Sequence, residues 1–242
     1  MTDREDTRPL ALLLAHGSPS DPAPQEAAIA ALAADVAPLA PGWRVRGATL
    51  AAPGALDAAT EPGATVYPLF MSDGWFVSRE TPRRLALAGA GDAHILPPLG
   101  LDARLPALCA CRAVEAARAA GFDVAQTALI LAAHGSPKDP RPARAARDAA
   151  GAIARLAPFR SVAACFVEEA PFLAEGLAAE APALCLPFFA IRAGHVTGDL
   201  PEAVAAAGFT GPVLAPIGCD SEIAALIAAT LEAEAVEAAP GA

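Results

Sequence analysis

His16-Gly-Ser-Pro-Ser-Asp-Pro-Ala-Pro-Gln-Glu-Ala-Ala28 recurs 118 residues later as His134-Gly-Ser-Pro-Lys-Asp-Pro-Arg-Pro-Ala-Arg-Ala-Ala146, with nine of thirteen positions identical. The same offset pairs Leu96-Pro-Pro-Leu-Gly100 with Leu214-Ala-Pro-Ile-Gly218, and an offset of 119 pairs Tyr67-Pro-Leu-Phe70 with Leu186-Pro-Phe-Phe189. Agreement at three separate places excludes chance, so the chain is one unit written twice. The expected domains are residues 1–122 and 123–242, joined near 121–127, and each is long enough to bury a core of its own.

Both histidines close an apolar run of strand length, 10–15 in the first copy and 128–133 in the second. Further strand candidates are 44–50, 65–70 and 93–97, then 161–167, 183–189 and 212–215. The segment after Asp21 and Pro22, which suit a cap and a first turn, carries Ile29, Leu32, Val36 and Leu39 on one helical stripe. Nearly continuous apolar strands alternating with helices specify α/β architecture, two tandem three-layer domains, each with a mainly parallel sheet flanked by helices.

Composition narrows the function. The chain has 242 residues, 55% of them apolar, and 27 acids against 17 bases give a net charge of −10. Nucleic acid is excluded as a partner, because phosphate contacts need a basic surface. Apolar runs end well short of a membrane span, and residues 1–9 carry three acids and two arginines instead of a signal-peptide core. A cytoplasmic protein is expected, monomeric or homodimeric. The five cysteines include no Cys-x-x-Cys pair, so core packing is their expected role, ahead of disulfides or zinc.

Ligands of an open parallel sheet bind at the carboxyl ends of its strands. His134 follows the first strand of copy two, Glu168 and Glu169 follow the second, and His195 lies in the loop after the third. Two imidazoles and a carboxylate suit Fe(II), Co(II), Ni(II) or Zn(II). Copy one lacks this set: Phe76 stands where His195 stands, and Leu50-Ala51 stand opposite Glu168-Glu169 at the repeat offset. His16 is therefore expected to form the turn or face substrate and not to be a metal ligand, and His94, inside a strand, to be core. The Gly-Ser-Pro turns after His16 and His134, through Ser18, Gly135 and Ser136, are expected to hold an anion on backbone N–H groups. No Gly-x-Ser-x-Gly elbow marks a hydrolase. Alanines 15 and 133 stand where a phosphotransfer site would need an arginine beside its histidine.

These motifs resemble the class II tetrapyrrole chelatases of the CbiX/SirB type, which insert Co(II) or Fe(II) into sirohydrochlorin. The resemblance rests on Leu14-Ala-His-Gly-Ser-Pro19, on Pro68-Leu-Phe-Met-Ser-Asp-Gly with Phe76-Val77 and Pro82, and on Leu186-Pro-Phe-Phe with Ala193-Gly-His-Val196 and Pro201. It covers most of the chain and implies the two-copy long form, with the tetrapyrrole in the cleft between the halves. It implies that His134 and His195 hold the metal and help remove pyrrole protons, assisted by a glutamate that best matches Glu168. In the longer members of the family the full histidine pair lies in the N-terminal half, whereas here it lies in the C-terminal half. The glutamate stands one residue closer to Pro171 than in the family pattern, which leaves Glu169 as the alternative. No permanently bound cofactor is implied, since the divalent metal, Co2+ or Fe2+, is a substrate. His16, Ser18, Phe76, Gly135, Ser136 and Arg192, with Arg79, Arg83 and Arg84, are the expected contacts of a polycarboxylate macrocycle. The other reading is a chelatase-fold protein that binds metal or tetrapyrrole without turnover.

Overall fold

The computed structural model describes residues 6–179, 181–192, 196 and 198–238. Two parallel sheets flanked by helices form the chain. In the first, β1 (Leu10–Ala15) lies between β2 (Arg44–Thr49) and β3 (Thr65–Pro68), with β4 (His94–Ile95) at the edge beyond β3. In the second, β5 (Ala128–Ala133) lies between β6 (Ser161–Phe166) and β7 (Ala183–Pro187), and Val213 adds a single bridge to Cys185. Every residue of β1 and of β5 is buried. That burial is why both sequences read as unbroken apolar runs: a central parallel strand is covered on both faces.

Helix α1 (Ala23–Val36) packs on β1 and β2 through Ile29, Ala33 and Val36, and α2 (Ala55–Ala59) packs on β2. The expected stripe is shorter than its sequence pattern, because the helix ends at Val36 and Leu39 lies outside it, exposed. Pro38 cannot donate to the backbone ladder, so continuation is disfavoured. Asp21 does not cap; Pro22 stands at the cap position with no side-chain bond. A π-helical turn, Phe76–Glu80, leads into α3 (Thr81–Leu87), and α4 (Leu105–Ala119) follows. In the second half α5 (Pro140–Leu156) and α6 (Leu173–Ala179) cover β5 and β6, before α7 (Asp199–Ala206) and α8 (Ile223–Ala238).

The compact units do not follow the repeat boundary at 122/123. One unit comprises the described residues up to Leu69, then Phe76–Pro97 and the segment from Ser221; the other comprises Phe70–Trp75 and Pro98–Asp220. Helix α8 returns to the first unit, where it packs on α1 and its Leu231 carbonyl accepts the indole N–H of buried Trp43 at 3.0 Å. Helix α4 belongs to the second unit, packing on α5 and β7. There Arg112 grips Asp220 with two bonds of 2.6 and 3.0 Å. Burial decides membership: Leu105, Cys109, Ala113 and Ala117 of α4 lose all contact with water, and an apolar face packs where it is covered.

His94 departs from expectation. It lies in β4, yet its side chain is 66% exposed, with Nε2 3.5 Å from the Glu234 carboxylate. The two-residue strand lies at the sheet edge, where less of its surface is covered. Three cysteines are core as expected, whereas Cys111 and Cys219 are exposed; all five are free. Burial pushes the Cys109 and Cys185 thiols up to about 12.

Candidate active site

The second-unit rim is built on the end of β5. After Ala133 the chain passes through His134 into Gly135, at φ +72°. That conformation admits glycine far more readily than any other residue. A Cβ on Gly135 would stand 2.9 Å from Cγ and Oε1 of Glu169 and 3.0 Å from Cβ of Phe166. The turn thus leaves His134 half-buried, with its ring held locally: Nδ1 lies 2.8 Å from the Gly135 carbonyl oxygen. A carbonyl only accepts, so Nδ1 carries the proton and Nε2 of the neutral ring keeps its lone pair. Nε2 faces the Glu168 carboxylate at 3.7 Å, and the two side chains are 36% and 45% exposed.

The adjacent carboxylates have different tasks. Glu168 faces the imidazole. Glu169 turns to the backbone and accepts the Ser136 N–H at 2.7 Å. Ser136 Oγ in turn accepts the N–H groups of Lys138 and Asp139 at 3.3 and 3.2 Å. Asp139 caps α5 through the Arg141 N–H at 3.1 Å. The expected anion contacts Gly135 and Ser136 thus lie in a turn that Glu169 and Asp139 help to hold. Glu169 accepts from the turn and Asp139 from the helix start.

The first-unit rim repeats the scaffold without the acids. Gly17 has φ +76°, and His16 Nδ1 lies 2.7 Å from the Gly17 carbonyl. The His16 ring meets Phe76 edge-on, with centroids 4.3 Å apart and planes at 73°. Ser18 Oγ pairs with Ser20 Oγ at 3.0 Å. The backbone ladder also shifts one sequence pairing. Ala51 N–H bonds the His16 carbonyl as Glu168 N–H bonds that of His134, so Ala51 and Ala52, not Leu50 and Ala51, stand opposite Glu168 and Glu169.

His195, the other expected imidazole, lies outside the described residues, as do Ala193 and Gly194 before it. Among the described residues no three side chains of the His, Cys, Asp and Glu types converge on one point; His134 and Glu168 form a pair. Two features went unread in the sequence: Trp75, which is 52% exposed, and Asp139, which accepts the Trp75 N–H at 3.2 Å. Asp139 followed by Pro140, a cap residue before a proline at the first helical position, is the signal for the latter.

The CbiX family model matches residues 128–234, the segment that carries this rim. A solved structure described as CbiX, the terminal enzyme for biosynthesis of siroheme in denitrifying bacteria, is 50% identical, superposes with a TM-score of 0.86, and matches across 96% of this chain and 100% of its own. The chain belongs to the CbiX family of tetrapyrrole chelatases. Two structures of SirB share the fold: SirB from Bacillus subtilis with Fe3+ at 16% identity and a TM-score of 0.66, and the sirohydrochlorin chelatase SirB from Bacillus subtilis subspecies spizizenii in complex with cobalt at 17% and 0.64. Each covers 96% of this chain and 98% of its own. Comparison with curated proteins returned no match.

Of the four arginines expected at a polycarboxylate substrate, two are engaged within the protein. Arg83 pairs with Glu80 at 2.6 Å, and Arg84 donates to the Leu50 carbonyl at 2.9 Å. Arg79 and Arg192 are exposed. No helix among the described residues is long and apolar enough to cross a membrane.

Proposed function

We propose that this chain inserts Co(II) or Fe(II) into sirohydrochlorin, in siroheme or cobalamin synthesis. The observation that carries the reading is His134, whose ring is held by the Nδ1 contact with the Gly135 carbonyl so that Nε2 faces the exposed Glu168 carboxylate, in a chain of the chelatase family. Insertion exchanges the ion's water and protein ligands for four nitrogens and releases two pyrrole N–H protons. His134 Nε2 serves first as a metal ligand and then as acceptor for one of these protons, a task suited to an imidazole near neutral pH. The imidazolium so formed is stabilised by Glu168, which at 3.7 Å is close enough to attract it and exposed enough to pass the proton to water. His195 supplies the second imidazole. His16, Ser18, Phe76 and Arg192 are assigned to binding of the tetrapyrrole. Kinship at 50% identity with a siroheme enzyme favours that branch.

The test is anaerobic incubation of the purified chain with sirohydrochlorin and each metal, followed by the tetrapyrrole absorption spectrum. Metal-dependent spectral change faster than the protein-free control is expected. Binding of sirohydrochlorin or metal with no acceleration would replace this reading with the non-catalytic binding protein.

A further inference from the structure

The segment Phe70–Trp75 belongs by sequence to the first repeat but packs in the unit that carries His134. Contact there is tight, since a Cβ on Gly100 would collide with the Met71 backbone. Two further points hold its end. Asp139 accepts the Trp75 N–H at 3.2 Å, and Arg141 donates to the Asp73 carbonyl at 2.8 Å. Asp139 and Arg141 are themselves joined by bonds of 2.7 to 3.1 Å, and the Arg141 guanidinium holds the Asp139 carboxyl below the usual carboxylate range. Through Ser136 Oγ the same aspartate is tied to the turn after His134, which Glu169 closes.

This clamp carries an indole that is 52% exposed, whereas that of Trp43 is 5% exposed. A large aromatic ring left half in water on a backbone held by a charged network offers its exposed surface for stacking on a flat ligand. The π-turn that begins at the next residue, Phe76, is a distortion frequent at functional positions. Resting on the tetrapyrrole reading above, we propose that Trp75 is a macrocycle-stacking residue of the His134 rim, and that Asp139 is the positioning residue that holds it there. A planar conjugated ring system is the ligand an indole recognises by face contact, and a metal ion alone gains nothing from it.

Equilibrium binding of metal-free sirohydrochlorin to the full chain, followed by the tetrapyrrole's own absorption, tests this assignment. Trp75→Ala should weaken binding about tenfold or more, in the range of aromatic stacking on a planar base, while Trp75→Phe retains most of the affinity. Binding of Co(II) without tetrapyrrole should be unchanged in both. Asp139→Asn should weaken sirohydrochlorin binding when Trp75 is present and add nothing in the Trp75→Ala background. Wild-type binding that Trp75→Ala leaves within about twofold overturns the stacking assignment, given that losses below the stacking range are expected of a bystander. An equal Asp139→Asn effect in both backgrounds overturns the positioning role. A wild-type chain that binds no sirohydrochlorin overturns the tetrapyrrole reading itself, and this proposal with it.

Discussion

Gly135→Ala probes the construction of the His134 turn. Two effects follow from the geometry. Placing an L-residue at φ +72° costs about 1–2 kcal/mol. The new methyl also arrives 2.9 Å from Glu169 and 3.0 Å from Phe166. Phe166 is fully buried and cannot yield, so the Glu169 side chain must swing away from the Ser136 N–H it holds at 2.7 Å. Loss of a hydrogen bond to a charged group costs about 1.5–3 kcal/mol, with the lower end appropriate for a partly exposed carboxylate. The sum is about 2.5–3.5 kcal/mol. In a Glu169→Ala background the carboxylate is already gone, and Gly135→Ala should cost only the backbone part, about 1–2 kcal/mol. A double-mutant cycle by urea denaturation should therefore return a coupling of about 1.5 kcal/mol. Additivity of the two substitutions to within about 0.5 kcal/mol would refute the reasoning, because Glu169 would then not be closing the turn.

Other expectations follow from the same geometry. His134→Ala should slow metal insertion by at least about 100-fold, the lower range for general acid–base help, with an unchanged circular dichroism spectrum. His16→Ala should weaken sirohydrochlorin binding more than metal binding. Glu168→Gln should slow insertion less than His134→Ala, because it leaves the imidazole lone pair in place; equal losses in the stopped-flow rate would contradict this division. Asp139 has a lowered folded pKa, so its stabilisation is fully present above the unfolded value near 3.9 and is lost as pH falls through the folded one. Asp139→Asn should accordingly flatten the acid limb of the stability profile, measured as melting temperature below about pH 4. With thiols pushed up to about 12, Cys109 and Cys185 are only about one part in 10⁴ thiolate at pH 8. Iodoacetamide mapping should find them unmodified in the folded chain, while exposed Cys111 and Cys219 react.

Much of the scaffold was legible because it rests on local periodicity. The apolar runs that become β1 and β5, the glycine after each histidine and the repeat offset are properties of neighbouring residues. They place His16 and His134 at strand ends and predict parallel sheets without any knowledge of packing. The family resemblance was legible for the same reason, since its motifs are short contiguous stretches at those ends.

What required the tertiary structure was every question of which side chain reaches which partner. Adjacent residues leaving a strand point in different directions, so Glu168 faces the His134 ring while Glu169 turns back to the Ser136 N–H; a linear pattern gives both the same standing. The ladder hydrogen bonds put Ala51 and Ala52 opposite that pair, one step from where the repeat offset placed them, because the second strands of the two copies are set one residue out of that offset. His94 reads as core in its strand and lies exposed on an edge, since edge position depends on strand order and not on composition. Repeat and compact unit also part company. The duplication marks where the chain pattern restarts, but α4, α8 and the Phe70–Trp75 segment settle where their apolar and charged groups are covered. Burial is non-local, and so the sequence determined the unit that is repeated, while only the folded chain determined that Trp75 of one repeat stands with His134 of the other.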